Sequence, residues 1–415
     1  MLDFAGIVSD LQAAYVSDTT PWVIGYSGGK DSTTLLQLVF RALSALPPDK
    51  LQKEVHVVSN DTMVENPAIR EYVDVQLTGI ERAGKQNIFA HAPDLFSVAK
   101  VKPSLQDRFW VNLIGKGYPS PNHWFRWCTD RLKIRPTNGY IRETVSKRGK
   151  VIIVLGTRKA ESSRRAASMS AREKDGRFRQ HTLPNALVYA PISELSNNDV
   201  WAYLLQAANP WGSNNRDLLK LYGSACSAGE CPFVIETGTQ SCGKSRFGCW
   251  VCTVVERDRA MENFVANGYD WMLRLLQFRN WLSDIRQQEH QHLPEALARD
   301  QLKFGPFLLK ARREILRRLL EVQAGVPIEL ISAKELRCVR KMLEHASHNQ
   351  RGNALTKSTV ELPTGRRLVV FSDFDITNTD RTRLGPFVLN GAKMVHTETL
   401  PAAFSGLTRL MYHTG

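Results

Sequence analysis

Between the apolar run Trp22–Tyr26 and a helix-patterned stretch through Leu35, Leu36, Val39 and Leu43 lie six residues, Ser27-Gly28-Gly29-Lys30-Asp31-Ser32. A strand that turns into a helix across two glycines leaves the first N–H groups of the helix pointing outward. Glycine also lets the backbone close on an anion placed there. Ser27 and Ser32 add hydroxyl donors, Lys30 a point charge, and Asp31 a carboxylate suited to Mg²⁺ on a leaving pyrophosphate. The pattern is not the longer phosphate loop that ends in Gly-Lys-Ser/Thr. A turn of this kind belongs to a strand–helix unit and so points to an α/β fold.

The rest of the first half fits that architecture. Residues 3–17 have helical spacing, Pro47-Pro48 stop the helix after the loop, and Glu54–Ser59 reads as a second buried strand. A helix is expected over 66–84 with Pro67 in its first turn, and a third strand at Ile88–His91. Asp130–Lys147 reads as a helix interrupted by Pro136 and Gly139. The run Val151–Leu155 (VIIVL) is the strongest central-strand signal in the chain. Leu187–Ile192 and a helix from Asn197 or Asn198 through Leu205 close the unit near Pro210. Alternating strands and helices imply a parallel sheet covered on both faces. In such sheets ligands sit beyond the carboxyl ends of strands, where the loop, Asp61-Thr62 and Gly156-Thr157-Arg158 would converge. Arg158, Arg164 and Arg165 there suit a second anion.

Charge and cysteines bound the function. With 55 Lys and Arg against 41 Asp and Glu, the net charge of +14 favours polyanionic partners, although a generally basic surface has the same composition. No apolar run is long enough to span a bilayer, and no Lys or Arg precedes Lys30, unlike a signal or transit peptide. The reading is a cytoplasmic protein with no membrane partner. Five of the seven cysteines fall between Cys226 and Cys252. Cys231, Cys242 and the CxxC pair Cys249 and Cys252 form a tetrahedral set for zinc or a [4Fe–4S] cluster, and spacing does not separate the two; Cys226 is an alternative to Cys231. Residues 303–341 hold ten basic against four acidic residues. Arg312, Arg313, Arg317 and Arg318 there read either as DNA-backbone contacts or as a solvated helix face. The final stretch, 350–415, shifts to Thr, Gly, Pro and Val with strand-like runs such as Leu368–Phe371.

SGGKDS resembles the PP-loop ATP pyrophosphatases (the adenine nucleotide alpha-hydrolase-like fold), in particular the branch that includes phosphoadenylylsulfate reductase. Supporting segments are Asp61-Thr62, Arg126-Trp127-Cys128-Thr129 with Leu132-Lys133, Gly156-Thr157-Arg158 with Glu161, Ser162 and Arg165, and Pro191-Ile192 with Asp199-Val200-Trp201. Glu230-Cys231-Pro232, Ser241-Cys242-Gly243 and Ser245–Thr253 further resemble the DndC-type sulfurtransferases of bacterial DNA phosphorothioation, with SspD of single-strand systems close by. The resemblance covers about residues 20–260.

That resemblance implies ATP cleaved between its α- and β-phosphates, Mg²⁺, and a [4Fe–4S] cluster on Cys231, Cys242, Cys249 and Cys252. It implies nucleotide contacts from Ser27, Gly28, Gly29, Lys30, Asp31, Ser32, Asp61, Thr62, Gly156, Thr157, Arg158 and Arg165. Lys30, Asp31, Arg158 and Cys128 carry the chemistry in this reading, Cys128 as a sulfur carrier or as a buried structural thiol, with cluster-held sulfur the competing route. The implied partners are DNA, a cysteine desulfurase, and other phosphorothioation proteins of DndD/DndE-like or SspB/SspC-like type. The expected organisation is a PP-loop domain at 1–210, an iron–sulfur segment at 211–260, basic helices at 261–349 and a segment of unknown role at 350–415. A phosphoadenylylsulfate reductase is the alternative, though such enzymes use a C-terminal cysteine and the last one here is Cys338. A non-enzymatic DNA-binding subunit is the third reading, disfavoured by the intact loop.

Overall fold

The computed structural model describes residues 4–123, 125–161, 177–225, 247–288, 305–348, 356–361, 367–372, 388–390 and 393–395. Arg164, Arg165, Cys226, Cys231 and Cys242 lie outside these. The chain divides into two compact units that are not consecutive in sequence. The first comprises Met1–Ser104, Cys128–Cys252 and Arg257–Leu276; the second comprises Leu105–Trp127, Thr253–Glu256 and Gln277–Gly415.

In the first unit the order is α1 (Phe4–Val16), β1 (Trp22–Gly25), α2 (Lys30–Ser44), β2 (Val55–Asn60), α3 (Pro67–Arg82), β3 (Phe96–Val101), α4 (Arg135–Arg148), β4 (Val151–Val154), β5 (Arg179–Gln180), β6 (Ala186–Tyr189), α5 (Asn197–Gln206), α6 (Asn215–Ser224) and α7 (Arg259–Ala266). The strands form one six-stranded sheet in the order β3-β2-β1-β4-β6-β5. All neighbours are parallel except the two-residue edge strand β5, which runs antiparallel to β6. Strand alternation sorts the core. Val23, Val58, Val151, Ile153 and Val188 face Ile141 of α4. Trp22, one residue out of phase with Val23, meets Tyr15 of α1 edge-on at 5.4 Å. Helices therefore cover both faces, as the alternating pattern requires.

Caps fix where these helices begin. Asn66 accepts from the Ala68 N–H ahead of Pro67, and Ser196 forms a reciprocal capping box with Asp199. Two expectations change. The third strand is Phe96–Val101; Ile88–His91 instead follows a wide turn closed by the Ile88 N–H donating to Ala83 O at 3.1 Å. Phe89 gave that segment its strand-like look because it is buried against Phe40 and Phe96, whereas most of β3 is only half-buried and lacks a clean apolar run. The helix expected from Asp130 does change at Pro136: a wider π turn, Asp130–Ile134, passes into α4 there, whereas Gly139 lies inside α4 without a break.

The second unit is helical, with α8 (Leu273–Arg286) entering it and α9 (Leu309–Ala324) and α10 (Ala333–His348) inside it; two hairpins follow, β7 (Thr356–Glu361) with β8 (Arg367–Ser372) and β9 (Val388–Asn390) with β10 (Lys393–Val395). Residues 105–127 belong here because Trp110 donates to Leu330 O at 2.7 Å and Arg108 pairs with Glu335 at 3.3 Å. Arg312, grouped above with the DNA-facing arginines, is fully buried and donates to the carbonyls of Ile114 and Gly115. It closes the end of the turn Val111–Gly115, where helical carbonyls lack partners. The basic face shrinks further because Arg317 and Arg318 are held by Glu314, and Arg317 also by Glu321. Arg312→Met is expected to lower stability by about 2–4 kcal/mol, since it leaves buried carbonyls unsatisfied. Denaturant unfolding at unchanged m would measure it, and a shift under 0.5 kcal/mol would return Arg312 to the surface set.

Candidate active site

β1 and β4 are neighbours whose connections leave in opposite directions, which makes their carboxyl ends the switch point of the sheet. The Ser27–Ser32 loop follows β1 and Gly156–Arg158 follows β4, so both open there. Gly28 takes φ +73°, and a Cβ on it would lie 2.4 Å from Val73 Cγ2. A Cβ on Gly156 would lie 2.8 Å from Asp31 O, so this glycine lets the β4 loop touch the first turn of α2. The loop is braced from within: Ser27 N–H donates to Ser32 Oγ at 3.2 Å, and Ser32 Oγ donates to Gly29 O at 3.0 Å. Gly28→Ala is expected to cost about 2–4 kcal/mol from its left-handed backbone and the Val73 overlap. In a double-mutant cycle Val73→Ala should recover part of that loss; strict additivity would show that the two do not meet.

A cavity of about 790 Å³ opens at this edge. Ser27, Gly29, Lys30, Asp31, Asp61 and Arg158 line it, together with an apolar floor of Val23, Val58, Ile153 and Leu155. Gly28, Ser32, Thr62, Gly156 and Thr157 are not among the residues that line it. Lys30 is buried, its Nζ 3.4 Å from Asp31 Oδ2. Arg158, also buried, donates from Nε to Asp31 Oδ1 at 2.7 Å and from Nη1 to Leu195 O at 3.0 Å. Both carboxylate oxygens of Asp31 are thus engaged by cations, and the three side chains form one fixed charged unit. Asp61 accepts from the Met63 N–H at 2.8 Å and is paired with Lys100 and Lys102 at 3.4 and 3.7 Å.

The CxxC turn docks on the loop that follows β2. Cys249 bridges to Glu65, Gly248 O accepts from the Asn66 N–H at 3.3 Å, and the Trp250 N–H donates to Val64 O at 3.0 Å. Thr62 Oγ1 lies 3.4 Å from Cys249 Sγ, and Glu65 holds Lys133 at 3.6 Å. Glu65 also raises the pKa of Lys133, while desolvation and then Glu65 push the Cys249 thiol up. Cys128 is half-buried, and desolvation followed by nearby Cys252 pushes its thiol up. Cys252 N–H donates to Cys249 O at 3.0 Å, closing the tight turn in which two thiolates can share a centre, and neither cysteine is in a disulfide. Among the described residues no group of three or more ligating side chains gathers. These two thiols fit half of a four-thiolate centre, and Cys231 and Cys242 fall outside the described residues.

Sequence reasoning missed several cavity residues, among them Asn60, Arg70, Thr137, Tyr222 and Phe247. Tyr222 belongs to α6 and Phe247 precedes the CxxC, and neither position carries a spacing signal toward the loop.

A match to the phosphoadenosine phosphosulfate reductase domain spans residues 21–255, from just before β1 to just past the CxxC. The chain belongs to that family. The chain is 26% identical over 249 residues to an uncharacterized protein of Methanocaldococcus jannaschii, a span covering 59% of this chain and 39% of that relative's length. Phosphoadenylyl-sulfate reductase from Candida auris, in a phosphate complex, aligns at TM-score 0.32 and 14% identity over 55% of this chain and 90% of that one. The U34-tRNA thiolase NcsA of Methanococcus maripaludis, with its [4Fe-4S] cluster, aligns at TM-score 0.30 and 11% identity over 72% of this chain and 86% of that one. Among the described residues no helix is long and apolar enough to cross a membrane.

Proposed function

We propose that this chain is an ATP pyrophosphatase and sulfurtransferase that acts on the DNA backbone. One observation carries the reading: Lys30 and Asp31 of the loop line the same cavity as Glu65, and Glu65 is bridged to Cys249 of the CxxC turn. A non-bridging phosphate oxygen attacks the α-phosphorus of ATP, and pyrophosphate departs. A sulfur nucleophile at the sulfide level then attacks the activated phosphorus, and AMP leaves with the displaced oxygen. A cysteine desulfurase with a thiol reductant is the proposed sulfur source. Lys30 and the N–H groups at the start of α2 meet charge on the departing pyrophosphate, which is where pre-placed donors speed such a step. Arg158 orients Asp31, the loop carboxylate that would hold a Mg²⁺ carried on the nucleotide phosphates and so supply neutralising charge there. Cys231, Cys242, Cys249 and Cys252 would hold a [4Fe–4S] cluster, which supplies a redox-active, sulfur-binding centre when bound. The excess of positive charge supports a nucleic-acid substrate.

The test is pyrophosphate release with and without DNA, followed by mass spectrometry for phosphorothioate-linked dinucleotides. DNA-dependent release together with those dinucleotides is the expected result. Sulfite formed from phosphoadenylyl sulfate with no response to DNA would replace this reading with the reductase one.

A further inference from the structure

One face of α10 carries positive charge that its own unit does not answer. The helix begins with a reciprocal cap: the Glu335 N–H donates to Ser332 Oγ at 3.3 Å, and the Ser332 N–H donates to Glu335 Oε2 at 3.2 Å. Glu335, Val339, Leu343 and Ala346 are buried, at the spacing of one helical face. Met342 packs so closely on the turn Val111–Gly115 that a Cβ on Gly115 would lie 2.6 Å from its sulfur. These contacts fix the rotation of α10 about its axis within the second unit.

The face turned away holds Lys334, Arg337, Arg340 and Lys341, all exposed, with Glu344 as the carboxylate beside them. Lys334, Arg337 and Lys341 are three and four residues apart, so they line up along one side. Among the described residues no carboxylate pairs with any of these four cations, whereas on α9 Arg317 and Arg318 are held by Glu314. Like charges at such spacings repel along a helix, so the row costs the fold stability and returns none. No large apolar side chain is exposed on α10. The face therefore offers no anchor to a lipid layer or to the dry centre of a protein interface. What it fits is a row of anions. From Lys334 to Lys341 the row runs about 10 Å along the axis, a length over which one DNA strand presents about three phosphates. Arg337 and Arg340 can each close a two-point contact on a phosphate.

We propose that this outer face of α10 is a docking surface for the phosphate backbone of DNA, with Lys334, Arg337, Arg340 and Lys341 as its contacts. The choice of DNA rests on the reaction proposed above; the charge and placement of the row do not. Contacts to the backbone hold DNA without reading its sequence.

Fluorescence anisotropy of the full chain with a fluorescein-labelled DNA duplex, over a series of salt concentrations, tests the surface. Arg337→Gln with Lys341→Gln should flatten the slope of log affinity against log salt by about 2, and equally for duplexes of different sequence. Arg317→Gln with Arg318→Gln removes the same charge from α9 and should move the slope by less than about half a unit. Equal flattening in both proteins would show that overall charge, not this face, holds DNA. An unmoved slope in the α10 variant, or no binding by the unaltered chain, overturns the surface as well. A second measurement needs no variant: bound DNA should lower the reactivity of Lys334 and Lys341 toward an acetylating reagent several-fold relative to exposed Lys50. Unchanged reactivity overturns the contact. If pyrophosphate release ignores DNA while the slope still falls in the α10 variant alone, the proposed reaction fails and the surface stands.

Discussion

Lys30→Met is expected to slow pyrophosphate release from ATP by about 10²- to 10³-fold while the melting temperature stays within a few degrees. The ammonium lies buried at the first turn of α2, where the proposed reaction would build charge on the departing pyrophosphate. Methionine fills a similar volume without that charge. The fold tolerates the change because Asp31 keeps Arg158 as its partner at 2.7 Å, so no carboxylate is stranded. Asp31→Ala is a less clean test, since it strips the buried Arg158 guanidinium of its carboxylate and mixes lost chemistry with lost stability. Steady-state release followed with a coupled pyrophosphate assay would measure the effect. A folded Lys30→Met protein that retains the native rate would remove the loop from the reaction.

Cys249→Ser is expected to abolish iron and sulfide binding. The CxxC turn is held by few backbone contacts to residues 64–66, and metal coordination converts such a short segment into structure. Its loss would also loosen Glu65 and Asn66, so the KM for ATP should rise several-fold while α2 stays formed. Cys338→Ser should keep full iron, because Cys338 sits on α10 in the other compact unit. Cys226→Ser should keep it as well if Cys231 completes the set. Anaerobic purification with iron and sulfide analysis reads each case. Stoichiometric zinc without iron defeats the cluster, and iron lost from Cys226→Ser exchanges Cys226 for Cys231.

Local pattern was enough for the parallel sheet, because VIIVL and the run before SGGKDS are buried on both sides and read as continuous apolar strands. It failed at β3, a largely half-buried edge strand, and at Phe89, whose burial serves an aromatic cluster rather than a strand. The loop and its glycines were legible because φ +73° at Gly28 and the close approach at Gly156 each demand a residue without Cβ. Arg312 was misread because charge in a sequence says nothing of burial; only the carbonyls of Ile114 and Gly115, about two hundred residues away, make it an interior residue. Chain chemistry alone therefore determined the fold class, the phosphate loop and the CxxC, all of which depend on neighbours in sequence. Tertiary structure alone decided the pairing of Arg158 with Asp31, the docking of Cys249 on Glu65 and the reach of Tyr222 to Lys30, because each joins residues distant in sequence that only packing brings together.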